Sequence, residues 1–219
     1  MPADAAMSPP DPYVAFTRRF FARWSPLYDA FAAPIGFAYA AAARLAGATP
    51  GRRLLDLCTG TGEIARRLAR HGAEVTAVDL TPAMLLRARR KSAGLPVRPL
   101  LMDARRLAFA DGEFDVTVLS FALHDMPAAV RVAVLREAAR VSREGVVVLD
   151  YEPPAREPWR RAVVAMLASF ETPYLLGFVR QGGAAAAIAA AGLAVTALDR
   201  PLAGFFAVRR AAVARPLVS

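Results

Sequence analysis

The sequence predicts an α/β fold of the doubly wound kind, a mostly parallel sheet with helices on both faces. Three observations carry that expectation. From residue 53 onward, short apolar runs alternate with helical patterns, as in repeated strand-helix units. The first run leads into a turn with two glycines a residue apart, in LDLCTGTGEIA (Leu55 to Ala65). The last two runs, Ala194 to Leu198 and Gly204 to Val208, are separated by only a few residues, which makes them antiparallel neighbours.

Arg53 to Leu57 reads as the first strand, and Glu63 to Arg70 as a helix closed by His71-Gly72, glycine supplying the left-handed stop. Glu74 to Asp79 is the second strand. Thr81-Pro82 opens a helix to Lys91, with threonine as N-cap and proline where its missing N–H costs nothing. Val97 to Met102 and Phe114 to Ser120 are the third and fourth strands. Ala128 to Arg140 is a helix with apolar positions at Val130, Val134, Leu135 and Ala138, and Gly145 to Tyr151 is a β-branched fifth strand. Beyond the break at Glu152-Pro153-Pro154, Trp159 to Phe170 is expected to be helical. A loop with Tyr174 and Phe178 and an alanine-rich helix over 184–191 follow.

The first 50 residues differ in kind. Phe16, Phe20, Phe21, Trp24, Tyr28, Phe31, Phe37 and Tyr39 are interleaved with Arg18, Arg19 and Arg23. Helices that cross the top of the sheet and close a pocket are expected here. The division is a tail and helical cap over 1–50 and a main unit over 51–219, together one structural domain. At 219 residues the chain buries a full core without disulfides.

Cys58 is the sole cysteine, so no intramolecular disulfide forms, no zinc spacing exists, and a reducing cytoplasm fits. MPADAAMSPPDP lacks the basic start and apolar core of a secretory signal and reads as a frayed tail. The uncharged stretches Ala30 to Ala43 and Gln181 to Leu198 are interrupted by proline or glycine and are poor membrane spans. The net charge of +9 raises nucleic acid as a partner. Lys91 is the only lysine, however, and the arginines are scattered in pairs with acids between them, so nucleic acid is not the expected substrate.

Glycine in a strand-turn-helix lets backbone approach a ligand, and open parallel sheets bind ligands at their carboxyl ends. Gly60-Thr61-Gly62-Glu63-Ile64-Ala65 even fits a dinucleotide pattern with alanine in third place. Asp56 argues against that ligand. A pyrophosphate gains nothing from an acid just before the glycines, whereas a cationic ligand does, as does a turn whose N–H groups need an acceptor. Asp79 ends the second strand, where an acid accepts from both hydroxyls of a ribose. Asp103 follows the third strand, where a carboxylate can accept from an exocyclic amine. The three acids would line one side of an adenosine whose far end is cationic.

Residues 53–151 resemble the core of a class I S-adenosylmethionine-dependent methyltransferase. The matching pieces are LLDLCTGTGEIA, VTAVDLTPAML, LMDARRLAFADGEFDVTVLSFALHDM and LREAARVSREGVVVLDY. ARWSPLYDAFA near the N-terminus resembles the subgroup of ubiquinone and menaquinone biosynthesis C-methyltransferases. The resemblance implies a Rossmann-like sheet of seven strands with the last antiparallel, and S-adenosylmethionine as cofactor. It implies that Thr59, Gly60 and Gly62 belong to the loop under the methionine part, beside Asp56. Asp79 would bind ribose, and Asp103 with the Ala104 backbone would meet adenine. Leu80 and Met84 would flank the adenine or ribose, and Ser120-Phe121 the methionyl end. Two departures stand out: Cys58 replaces the first glycine of the loop, where packing is expected rather than thiol chemistry, and Ser142-Arg143-Glu144-Gly145 replaces a proline-glycine-glycine turn.

Methyl transfer from a sulfonium is an in-line displacement that needs donor and acceptor held about 3 Å apart. A phenol or enolisable carbon must also lose a proton. His124 in ALHDM is the candidate base, with Asp125 to orient it; capping or packing is the structural alternative. Tyr28 and Tyr151 are candidates to position the acceptor or the cofactor carboxylate. No metal site is expected. The reading is a methyltransferase for a small apolar or aromatic, quinone-like or lipid-like acceptor, the last bringing peripheral membrane contact; oligomeric state is open. The rivals are a nicotinamide-dependent oxidoreductase, a non-catalytic protein that kept the pocket, and an RNA methyltransferase, for which SFALHD lacks an aromatic pair after proline.

Overall fold

The structure, a computed structural model, describes residues 11–26, 35–152, 158–167 and 172–213. Its strands are β1 (Arg53–Leu57), β2 (Glu74–Asp79), β3 (Val97–Leu101), β4 (Phe114–Ser120), β5 (Ser142–Tyr151), β6 (Leu193–Asp199) and β7 (Phe206–Val213). They form one sheet in the order β3-β2-β1-β4-β5-β7-β6. β1 lies between β2 and β4 with Leu54 opposite Val75 and Val116, and all pairs from β3 to β5 are parallel. β7 enters between β5 and β6 and runs antiparallel to both. The doubly wound, seven-stranded expectation holds, including the antiparallel end.

Both faces of the sheet are dry, which is why its central strands read as unbroken apolar runs rather than alternating ones. Leu55, Leu57, Val146 and Val148 face α5 (Ala128–Arg140), α7 (Leu175–Arg180) and α8 (Gly183–Ala190). Leu54, Val147 and Leu149 face α2 (Gly36–Ala46) and α3 (Glu63–Arg70). Ala38, Ala42 and Ala46 of α2 are fully buried, small residues that let the helix sit close against α3, β5 and β7. Thus α2 covers a sheet face. α1 (Pro12–Trp24) lies beside α4 (Pro82–Lys91), and none of its residues is fully buried.

Several boundaries differ from the sequence expectation for identifiable reasons. Tyr174 to Phe178 is not a loop: Leu175 and Phe178, three apart, bury one side of α7. β7 extends to Val213, and Gly204 belongs instead to a short helix, α9 (Pro201–Gly204). Arg209 and Arg210 hid that strand by interrupting its apolar pattern. Arg209 is only 4% exposed and pairs with Glu152, while Arg210 reaches Glu144 at 2.8 Å. The helix α6 (Pro158–Leu167) occupies the expected place, with 168–170 outside the described residues. Pro99 is tolerated inside β3 because that strand is an edge of the sheet.

β5 begins three residues early, at Ser142, and its register with β4 shifts between Phe114 and Val116. Gly145 absorbs that shift at φ 127°, and a Cβ there would lie 2.2 Å from the carbonyl oxygen of Ala211 on β7. Gly145→Ala is expected to push β7 away from β5 and to destabilise the protein by at least about 3 kcal/mol, read as a lower urea midpoint. A midpoint within error of wild type would show that the strand contact is not constrained there.

Candidate active site

The turn after β1 is built by an acid that faces inward. Asp56 is fully buried and accepts from the Thr59 hydroxyl and, at 3.1 Å, from the Ala65 N–H in the first turn of α3. Of the two roles open to it from sequence, satisfying the turn is the one the geometry displays. Burial pushes its pKa up to about 7, the Thr59 and Ala65 bonds working against that and the charge of Asp79 adding to it. Gly62 starts α3 at φ 83°, where an added Cβ would come 3.0 Å from the Ala88 Cβ. Gly62 therefore lets α3 approach α4. Asp56, Thr59 and Gly62 shape the turn from behind and do not line the cleft.

Gly60 and Asp79 form its front. One Asp79 carboxylate oxygen accepts the Gly60 N–H at 2.8 Å and the other the Thr81 N–H at 2.8 Å. Thr81 stands at the N-cap position of α4 as expected, but its hydroxyl makes no capping bond; its own N–H is held by Asp79. Burial raises the Asp79 pKa, and the backbone bonds oppose the rise. These two residues open onto a cleft of about 670 Å³ at the carboxyl ends of β1 to β4.

Leu80, Met84, Asp103, Ala104 and Phe121 line the cleft as the sequence suggested. Cys58, at φ 62°, and Phe121, at φ 49°, are two of the three described non-glycine residues with positive φ, so backbone strain concentrates at the cleft. The Cys58 thiol is held well above its ordinary pKa, by burial first and then by Asp79, Asp56, Asp103 and Asp125. It packs as a protonated thiol.

The opposite wall comes from the N-terminal helical segment, where the sequence placed a cap over the pocket: Tyr13, Thr17 and Phe21 of α1 line the cleft at a four-residue spacing. Of these the sequence reading had named only Phe21, and it missed Arg105. The guanidinium donates to Asp103 (2.7 Å) and to Asp11 (2.6 Å), the N-cap residue of α1, and lies 5.6 Å from the Tyr13 ring. Burial disfavours the Asp103 charge, but the Arg105 bonds outweigh it and hold that pKa below its usual value.

The candidate base sits one layer back. His124 is 2% exposed and does not line the cleft. Its Nδ1 lies 2.7 Å from Asp150 at the end of β5, and its Nε2 lies 3.3 Å from Asp125. Asp125 does line the cleft. The expected order is therefore inverted: Asp150 orients the ring, and Asp125 is the member of the group that faces the ligand space. Tyr151 stacks edge-on between the His124 and Phe121 rings, at 4.8 and 5.7 Å, and neither it nor Ser120 lines the cleft. Tyr28 lies outside the described residues.

The donor set decides which cofactor fits. Asp79, Asp103 and Asp125 face the cleft, and the one basic lining residue among the described residues, Arg105, is already paired with Asp103 and Asp11. The Gly60 N–H, which a diphosphate would need, is taken by Asp79. An anionic cleft of this kind suits a nucleoside with a cationic end. Among the described residues no group of three His, Cys, Asp or Glu side chains could hold a metal, and no helix is long and apolar enough to cross a membrane.

Sheet order and cleft together define an α/β fold that takes a nucleoside cofactor at its strand ends. Comparison with known proteins agrees. A family model described as a methyltransferase domain matches residues 54–145. A demethylmenaquinone methyltransferase of Beutenbergia cavernae is 38% identical over 129 residues, 58% of this chain and 52% of that protein. A 2-phytyl-1,4-naphtoquinone methyltransferase of Synechocystis sp. is 31% identical over 179 residues, 74% of this chain and 70% of the relative. The magnesium protoporphyrin IX methyltransferase of Synechocystis PCC 6803, solved with bound S-adenosylhomocysteine, shares the fold with a TM-score of 0.67 at 16% identity, over 92% of this chain and 100% of that one. The chain belongs to the class I S-adenosylmethionine-dependent methyltransferases. Its match spans about half the length of the Beutenbergia relative.

The buried Asp56 has a consequence for stability. Its folded pKa of about 7 lies above the unfolded value of about 3.9, so between those values the folded state binds the extra proton and stability falls as pH rises. The loss is on the order of 3 kcal/mol from pH 4 to pH 7, with Asp79 acting in the same direction. Asp56→Asn is expected to flatten this slope in urea titrations at several pH values; an unchanged slope would assign it to other groups.

Proposed function

We propose that the protein transfers a methyl group from S-adenosylmethionine to a small aromatic acceptor of the quinone type. The observation that carries this reading is the cleft's charge: three carboxylates face it, and the turn's Gly60 N–H is closed to phosphate by Asp79. When bound, the cofactor supplies a methyl group on a positively charged sulfur. In this reading Asp79 takes the ribose hydroxyls without leaving its backbone partners, since a carboxylate has about four acceptor positions and two are used. Asp103 and the Ala104 backbone meet the adenine edge, between Leu80 and Met84, and Arg105 holds Asp103 ionised there. Phe121 and the Gly60 turn border the methionyl end, with Asp56, Thr59, Gly62 and Ser120 supporting them from behind.

The acceptor would lie under α1, against Tyr13, Phe21, Met126 and Val130. That wall is apolar and aromatic, and the named activities of the Beutenbergia and Synechocystis relatives, both on naphthoquinone-type compounds, point the same way. Enclosure by α1 would keep water from the displacement, so what this chain contributes is chiefly alignment.

Thermal denaturation with S-adenosylhomocysteine tests the cofactor assignment. At 100 times its dissociation constant the ligand should stabilise by about 2.7 kcal/mol, and NAD should give no shift. Asp79→Asn is expected to weaken that binding at least tenfold, and a shift with NAD alone would overturn the reading. Incubation with methyl-labelled cofactor and reduced 2-phytyl-1,4-naphthoquinone tests the acceptor class: label should enter the quinol, and label found only in RNA or protein of a host extract would refute it.

A further inference from the structure

We propose that Asp125 is the catalytic residue that takes the proton released by the methyl acceptor, and that His124 and Asp150 behind it are positioning residues that hold it and share that proton. The proposal rests on the methyltransferase reading above. It starts from a line of three buried groups. Asp150 is completely buried, His124 is 2% exposed and Asp125 7% exposed, and only Asp125 borders the cleft.

Asp150 is fixed from several sides. One oxygen accepts from the Leu123 N–H at 2.9 Å and the His124 N–H at 3.3 Å; the other accepts from the Tyr151 N–H at 2.8 Å and meets His124 Nδ1 at 2.7 Å. A carboxylate that only accepts must meet the protonated form of Nδ1, so the neutral imidazole carries its hydrogen there and turns a lone pair at Nε2 toward Asp125. Nε2 and the nearer Asp125 oxygen are 3.3 Å apart. This arrangement has room for one more proton between Asp125 and His124, and Asp150 stabilises the ring once it is charged.

Other charged and titratable groups frame the line. Arg131 of α5 donates to the Leu123 carbonyl at 2.9 Å and to Gln181 at 2.7 Å, and its positive charge acts on Asp150. Tyr13 of α1 and Cys58 after β1 both feel the negative charge of Asp125 across the cleft. Both are kept protonated, chiefly by burial, whereas the Asp125 carboxyl faces the cleft with His124 Nε2 behind it.

In the reaction, the bond between the acceptor atom and the methyl carbon forms as the sulfur–methyl bond breaks. The electron pair of the broken bond stays on sulfur, which becomes a neutral thioether. The acceptor's proton passes to an Asp125 oxygen, and the neutralised carboxyl shares it with His124 Nε2 until it leaves to solvent. No other oxidant, reductant or base is required.

Two measurements test this. The first needs no acceptor: the chain has two histidines, so a His71→Gln background leaves His124 alone in a 15N spectrum. Asp125→Asn in that background is expected to lower the His124 pKa by about one unit or more and to leave S-adenosylhomocysteine binding within about threefold. An unchanged His124 titration overturns the shared proton, and loss of S-adenosylhomocysteine binding in proportion makes Asp125 a cofactor ligand and overturns its role as base.

The second measures transfer to reduced 2-phytyl-1,4-naphthoquinone against pH. Asp125→Asn is expected to lower kcat about 100-fold or more with KM little changed. His124→Gln is expected to lower kcat about tenfold and to move the acid limb of the profile, which a purely structural role would not do. Full turnover by Asp125→Asn overturns the proposal. A wild-type protein that fails to bind S-adenosylhomocysteine overturns the methyltransferase reading instead.

Discussion

One carboxylate ties the cleft together. Asp79 sits at the end of β2 and accepts an N–H from the turn after β1 and another from the start of α4. Hydrogen bonds to a charged group contribute about 1.5–3 kcal/mol each, and here they are made in a half-buried place at the cleft. The two loops are thereby fixed relative to each other before any ligand arrives. The same contacts close the glycine turn to phosphate and leave an acid at the mouth, so a local hydrogen-bond pattern selects the class of cofactor.

The parallel core was legible because buried parallel strands are apolar on both faces and are separated by helices with clear stops. β1, β2 and β4 need no correction. What escaped detection was whatever depended on pairing across the fold. The tail of β7 was hidden by Arg209 and Arg210, whose partners Glu152 and Glu144 lie far away in sequence. The early start of β5 depends on a bulge opposite β4, and no single-strand pattern encodes it. In the cleft, the glycines and Asp79 could be read from one short stretch each. Arg105 could not, since its role exists only when residue 11 is brought beside residue 103. The inversion of His124 and Asp125 has the same origin: Asp150, 26 residues away, decides which way the ring faces.

α1 illustrates how a wall can be added to a site without being part of the core. None of its residues is fully buried, and its polar ties to the described body include the Asp11–Arg105 pair and a bond from Arg18 to the Leu80 carbonyl at 3.1 Å. Partly exposed ties of this kind contribute little to stability. Tyr13 and Phe16 meet Tyr174 edge-on, an aromatic contact at the helix flank. The helix thus supplies surface to the cleft at small energetic depth, which is the arrangement expected where a ligand must pass a wall. By contrast α2 is built into the core through buried alanines.

The acids of the strand ends divide into two sets, and position in the sheet explains the division. Asp56 on β1 and Asp150 on β5 are fully buried and take backbone N–H groups of the turns that follow β1 and β4. Their partners are donors that would otherwise be orphaned inside the protein, a cost that the carboxylates remove while bearing the desolvation themselves. Asp79, Asp103 and Asp125 follow β2, β3 and β4, where the neighbouring chain leaves one side open to the cleft. The turn builders do not line the cleft, and each has an oxygen bound to the turn it holds. Asp79 belongs to both sets, holding two loops by their N–H groups while it opens onto the cleft. Placing both kinds within a few residues of each other gives the site a rigid frame and a negative lining at once, and the glycines that first mark the motif are the points where frame and lining pass close enough to exclude a side chain.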